Sequence, residues 1–261
     1  MAVLPLWVLA GAGFCAGVMN SIAGGGTLVT FPTLILAGLP SIAANATSTV
    51  ALLPGTAASF AGYRDNLPGV SRWLKVFSPV SLLGGLIGGI LLVQTPSRLF
   101  DAFVPFLILF ATLLFMANAT AGRLIPSAPS GKEPGDRVWT AGALAFQFGV
   151  AVYGGYFGAG IGILMLASLG MLGFKDVHAM NTVKVALGFL INIVAAAYFV
   201  WSGLIAWTAA GIMAAGALAG GYCGARFAQR LPQRTVRVII TGIGLTITVM
   251  MFLKQFGPRW E

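Results

Sequence analysis

The sequence predicts an all-α integral membrane protein: two inverted repeats, each a broken, re-entrant opening hairpin plus three transmembrane helices. Three observations carry this expectation. Of 261 residues 58% are hydrophobic and only 8% charged, where a soluble domain carries about 25% charge. Apolar stretches near the roughly 20 residues that cross about 30 Å of hydrocarbon recur along nearly the whole chain. Two glycine-broken apolar segments, Asn20 to Thr27 and Gly154 to Gly162, stand at matching places in the two halves.

Residues 1–118 read as the first repeat, with segments near 3–37, 41–62, 73–93 and 98–118. Residues 119–138, with Pro126, Pro129 and Pro134 among Ser, Gly and charges, read as the linker. Residues 139–261 form the second repeat, with segments near 139–172, 177–202, 204–225 and 235–253, and the two repeats make one membrane domain. A shift of 135 residues lays Ala44, Thr47 and Val50 on Ala179, Thr182 and Val185, and Gly85 and Gly89 on Gly220 and Gly224. Duplication is the economical explanation. Each opening segment exceeds thirty residues, too long for one span, and the piece from Thr27 to about Ala37 is too short to cross alone. Each is therefore expected to break near the bilayer midplane, with a helix restarting at Thr27 and at Ile163.

Charge chooses the topology. Eight full crossings would divide the basic loop residues eight to six. If each opening segment instead enters and leaves on one side, Arg64, Arg72, Lys75, Arg123, Lys132, Arg137, Lys175, Arg226, Arg230, Arg234 and Arg237 share a face against Arg98, Lys254 and Arg259. Eleven to three is a positive-inside signal. Three crossings per half then invert the second half and leave both termini outside the cytoplasm. Trp73, Trp139, Trp201 and Trp207 fall at segment ends, as an interfacial aromatic belt requires. The formal charge of +9 sits in these short connections, so no nucleic-acid partner is expected. Cys15 and Cys223 lie apart in apolar helical stretches and form neither a disulfide framework nor a metal-ligand cluster.

Helix breakers at corresponding positions of duplicated apolar halves point to a transporter's binding site. Gly24, Gly25 and Gly26 in the first break, and Gly158, Gly160 and Gly162 in the second, either free backbone amides that must be buried in protein or face a wet cavity, or merely permit close helix packing; the matching places of the two breaks favour the first. A helix restarting there aims its positive end at the break, a site for an anion. Asn20, Ser21 and Thr27 add side-chain donors. Lys184 is the one charged residue placed well inside a span, and an intramembrane charge is a functional candidate by default. Asn181, Lys184, Gly188 and Asn192 follow three- and four-residue steps along one helix face, with Thr182 beside them. The equivalent helix of the first half carries Asn45, Thr47, Ser48 and Thr49 and no charge. Lys184 either lines the site or snorkels from the helix end, since Asp176 lies only two turns away. Gly84, Gly85, Gly88 and Gly89, with Gly216, Gly220 and Gly224, read as helix-packing faces. No carboxylate pair, nucleophile–base set or metal-ligand cluster stands out, which opposes an enzyme.

The stretch Met19 to Pro32, followed by Gly38-Leu-Pro40 and Ala43 to Ser48, resembles the sulfite exporter TauE/SafE family of membrane transporters. Gly154 to Gly162, Leu172-Gly-Phe and Ala179 to Lys184 resemble that family's second repeat. The resemblance implies transport of a small sulfur-containing anion such as sulfite or an organosulfonate across the bacterial inner membrane. The second repeat departs from the first in having Ile161 where Gly26 stands and no match to Pro32. A secondary transporter is the expected function, with the lipid bilayer, a small anionic substrate and a coupling ion as its partners; a passive anion channel is the alternative. No Gly-x-x-x-x-Gly-Lys-Ser/Thr motif is present and no cofactor is expected.

The topology is testable by labelling. With Cys15 and Cys223 replaced, single cysteines near Arg72, Arg123 and Arg230 should all be protected from an impermeant thiol reagent added outside. Outside labelling at Arg123 with none at Arg230 would favour eight full crossings.

Overall fold

A computed structural model describes residues 4–22, 25–62, 67–124, 137–172, 174 and 177–227, with positions 242, 245, 246, 249 and 252. The expected segment 235–253 lies almost wholly outside the described residues. The described chain is helical throughout and contains no strand: α1 (Leu6–Ile22), α2 (Thr27–Leu36), α3 (Ser41–Gly62), α4 (Leu67–Gln94), α5 (Ser97–Leu124), α6 (Arg137–Tyr156), α7 (Ile161–Met171), α8 (Val177–Trp201) and α9 (Trp207–Phe227). Hydrocarbon offers the backbone no partner, so helices that satisfy their own amides are the structure such a sequence adopts.

Both opening segments are broken, into α1/α2 and α6/α7. The first restart falls at Thr27, as expected. The second falls at Ile161, two residues before the expected Ile163, because Gly160 turns the chain at φ 79° and caps the new helix. Helix α5 runs to Leu124, into the stretch read as linker, since no proline stops it before Pro126. Helix α4, the Ser97–Leu114 portion of α5 and the Ala179–Trp201 portion of α8 are long and apolar enough to cross a membrane. Leu83, Leu91, Phe103, Phe106 and Phe110 stand exposed on α4 and α5. In water such a surface would be a liability; in lipid it is the solvent-facing side.

The helices of the two halves interlock. Helix α1 packs on α9 and α4 on α6, while α3 lies against both α8 and α9 and α4 against α8. Exchanging α1, α2, α3 and α4 for α6, α7, α8 and α9 maps the neighbours among these eight helices onto themselves.

Glycine makes the two long contacts possible. A Cβ on Gly13 or Gly17 would fall on the backbone carbonyl of Met213 or Ala217, and one on Gly216 or Gly220 on that of Ala10 or Phe14. The α4–α6 contact is built the same way: Gly88 lies on the carbonyl of Val152 and Gly155 on that of Gly85. Without side chains between them the backbones approach closely enough for dispersion to hold the pair in lipid, where no hydrophobic force drives helices together.

Gly17→Val and Gly88→Val should each cost roughly 1–3 kcal/mol or more through overpacking and lower the unfolding temperature. Gly211→Val, which meets nothing within 4 Å, should stay within about 0.5 kcal/mol of the parent. Thermal unfolding in detergent reads all three.

Candidate functional site

The two helix breaks meet. A methyl on Gly158 would stand 4.0 Å from the Thr27 hydroxyl, and Phe31 of α2 sets its ring edge-on to Phe157, with centroids 5.4 Å apart. Between the breaks and helices α3 and α8 lies a cavity of about 70 Å³. A water needs roughly 10–15 Å³ of such space, so the cavity admits a few waters or one small oxyanion.

Each break closes by a different local device. In the first, Gly25 turns at φ 95°, and the Gly26 amide donates to Asn20 Oδ1 at 2.8 Å. The Leu28 amide donates to the Gly25 carbonyl at 2.9 Å, and those of Val29 and Thr30 to the Gly26 carbonyl at 3.0 and 3.1 Å. In the second, Gly158 and Gly160 turn at φ 80° and 79°, and the Tyr153 hydroxyl donates to the Ala159 carbonyl at 2.8 Å. The Ile163 and Leu164 amides donate to the Gly160 carbonyl at 3.0 and 3.4 Å. Among the described residues nothing accepts the amides of Ile161 and Gly162, and both residues line the cavity.

Lys184 reaches the same space from α8. It is 5% exposed, and its ammonium donates to Asn181 Oδ1, one turn back on the helix, at 2.8 Å. No carboxylate among the described residues pairs with it. A buried ammonium held only by a neutral amide, on the same cavity as two free amides at a helix N-terminus, makes the cavity electropositive.

Of the residues singled out in the sequence, Asn20, Gly25, Thr27, Gly158, Gly162, Lys184 and Asn192 line the cavity, as does Gly188 on the same α8 face. Gly24 lies outside the described residues. Gly26 is buried behind Asn20 and Ala16, and Ser21 turns its hydroxyl back onto the Val18 carbonyl at 2.8 Å. Gly160 faces Ala111 and Leu114 of α5, not the cavity. Asn181 holds Lys184 from outside the lining, and Thr182 is fully buried away from it.

The polar cluster Asn45, Thr47 and Ser48 is buried but also stands off the cavity. Asn45 Nδ2 donates to the Tyr156 carbonyl at the end of α6 at 2.9 Å. Thr47 Oγ1 accepts the Ala206 amide, ahead of α9, at 3.1 Å. Ser48 and Thr30 share a hydroxyl hydrogen bond of 2.5 Å. These residues pin α3 to the helix ends around it, and each buried partner left unpaired would cost about 1–3 kcal/mol. The α3 residues that do line the cavity are Thr49, Leu52, Thr56 and Ser59. Sequence reading missed Thr56 and Ser59, although the three- and four-residue steps from Thr49 mark one helix face.

A family model described as Sulfite exporter TauE/SafE matches residues 9–251. A probable membrane transporter protein of Haemophilus influenzae is 28% identical over 251 residues, covering 96% of this chain and 95% of its own length. The probable membrane transporter protein ORF9 of a Sinorhizobium species is 26% identical, covering 95% of this chain and 92% of its own. The probable membrane transporter protein YfcA of Escherichia coli K12 is 26% identical, over 98% of this chain and 93% of its own. No solved structure matches.

The lining can be mapped chemically. With Cys15 and Cys223 replaced, Thr56→Cys and Asn192→Cys should react with a small hydrophilic thiol reagent several-fold faster than Thr47→Cys and Ser48→Cys. Equal rates at all four positions would dissolve the distinction between lining and pinning residues.

Proposed function

The chain belongs to the sulfite exporter TauE/SafE family, and from that premise we propose that it is a secondary transporter for a small sulfur-containing anion, sulfite or a sulfonate, held between the two helix breaks. The observation that carries this is Lys184. A buried ammonium without a counter-ion among the described residues is costly unless an opposite charge arrives, and the cavity in front of it also collects the free amides of α7. Two oxygens of an anion can take the Ile161 and Gly162 amides while a third meets the ammonium. Asn20 and Asn192 offer carboxamide N–H groups around it. The cavity's size suits one such ion.

The site residues of this reading are Asn20, Thr27, Gly158, Ile161, Gly162, Lys184 and Asn192, with Gly25 giving the backbone its close approach. Transport proceeds by alternating access between two inverted repeats. The neighbour set that survives exchange of α1–α4 for α6–α9 supports that geometry, as does the eleven-to-three division of basic residues. The membrane is the bacterial inner membrane, with both termini outside the cytoplasm. Free energy comes from an ion gradient or from the anion's own gradient.

The test is anion binding and counterflow in proteoliposomes. Hydrogen bonds to charged groups are worth about 1.5–3 kcal/mol, so Lys184→Met should raise the Kd for sulfite or the preferred sulfonate roughly tenfold to a hundredfold. Lys184→Arg should keep part of the affinity, because the charge survives while the donor geometry changes. Normal binding and flux in Lys184→Met would make the lysine a snorkelling residue and move recognition wholly to the backbone.

A further inference from the structure

We propose that the two helix breaks are chemically unequal: Asn20 occupies the α2 N-terminus with its own carboxamide, so a single anion binds per chain, at the α7 N-terminus. This rests on the anion-site reading above and adds to it the number and place of the bound ions.

At α2 the Gly26 and Leu28 amides are already engaged, and only that of Thr27, like that of Ile161, has no acceptor among the described residues. Asn20 Oδ1 accepts the amide of Gly26, the residue just ahead of the helix, at 2.8 Å. The fit is close: a Cβ on Gly26 would come within 2.6 Å of the Ala16 carbonyl and 3.0 Å of the Asn20 carboxamide. The Leu28 amide, second in the helix, is satisfied by the Gly25 carbonyl. At α7 neither device exists. Asn20 stands seven residues before Thr27, whereas the residue seven before Ile161 is Gly154, which has no side chain to give. The counterpart of the Gly25 carbonyl is that of Ala159, which takes the Tyr153 hydroxyl. The Gly162 amide, counterpart of Leu28, is left without an acceptor among the described residues.

The long helices repeat the inequality. A shift of 135 residues sets Lys184 of α8 against Thr49 of α3, and both line the cavity. Thr49, Thr56 and Ser59 each donate their hydroxyl proton to a carbonyl four residues back, at 3.0 Å in all three cases. Their oxygens therefore present lone pairs to the cavity, which repel an anion. The donors and the charge lie with α7 and α8; the acceptors lie with α3. An anion's oxygens settle on the α7 side, and Asn20, its Oδ1 engaged, has only its NH₂ to offer.

Hydrogen exchange on the unliganded full chain tests the inequality without any ligand. The Gly26 amide should exchange at least tenfold more slowly than the Gly162 amide, and equal exchange at the two breaks would overturn the proposal. Titration with sulfite tests the stoichiometry: the parent should bind one ion per chain, and two ions would overturn it. Asn20→Ala should speed exchange of the Gly26 amide without ligand and make that amide sulfite-protected, because the vacated amide becomes an anion contact. Asn20→Asp keeps the cap but places a carboxylate in the cavity, so it should fold as the parent does and bind sulfite at least tenfold more weakly. If Asn20→Ala fails to fold, undiminished sulfite affinity in Asn20→Asp would overturn the proposal. Loss of sulfite binding in the parent with the exchange difference intact would instead sink the anion-site reading and leave the inequality of the breaks standing.

Discussion

Inside hydrocarbon a peptide amide without an acceptor has nowhere to go, and the fold is arranged around two places where the chain accepts that condition. A helix that stops and restarts within an apolar segment exposes several amides and carbonyls at once. They survive only when protein encloses them on every side. Helices α3 and α8 wall the breaks, α9 and α4 back the helices that lead into them, and Asn45 ties the last turn of α6 to α3. The glycine contacts of α1 with α9 and of α4 with α6 are a consequence: the enclosure must be tight, and tight packing in lipid needs small residues.

Enclosure differs from satisfaction. The first break is enclosed and has two of its amides satisfied, Gly26 by Asn20 and Leu28 by the Gly25 carbonyl, with that of Thr27 left over. The second is enclosed and left short of acceptors, on the same cavity as an ammonium in the same condition. Two deficits of the same sign on one small cavity define a ligand by what is missing, an object with several acceptor oxygens and a negative charge. The sulfur oxyanion proposed above has both.

Much of this was legible in the residues alone, and the remainder shows where one-dimensional reading ends. Glycine runs at matching places in two apolar segments too long for one span mark breaks, so both breaks and the restart at Thr27 could be read directly, the second restart only to within two residues. Lys184 was conspicuous because charge is rare there. Asn45, Thr47 and Ser48 looked like site residues because an inward polar face reads the same whether it meets a ligand or another helix; only tertiary pairing, with partners 111 and 159 residues away for Asn45 and Thr47, tells them apart. Thr56 and Ser59 escaped notice for the opposite reason. A hydroxyl bonded to its own helix is an ordinary feature of an apolar span, and its place on a cavity wall appears only when α8 stands opposite.

The interlocked packing also orders events in time. During synthesis the small-residue face of α4 around Gly88 meets its partner in α6 about 64 residues later, whereas that of α1 around Gly17 waits about 200 residues for Ala217 of α9. At about 5–20 residues per second the first wait lasts roughly 3–13 s and the second roughly 10–40 s. Two contacts that are equivalent in the finished molecule thus close at different ages of the nascent chain. Of these two surfaces the bare glycine stripe of α1 is the longer-lived, and it is covered only when α9 arrives.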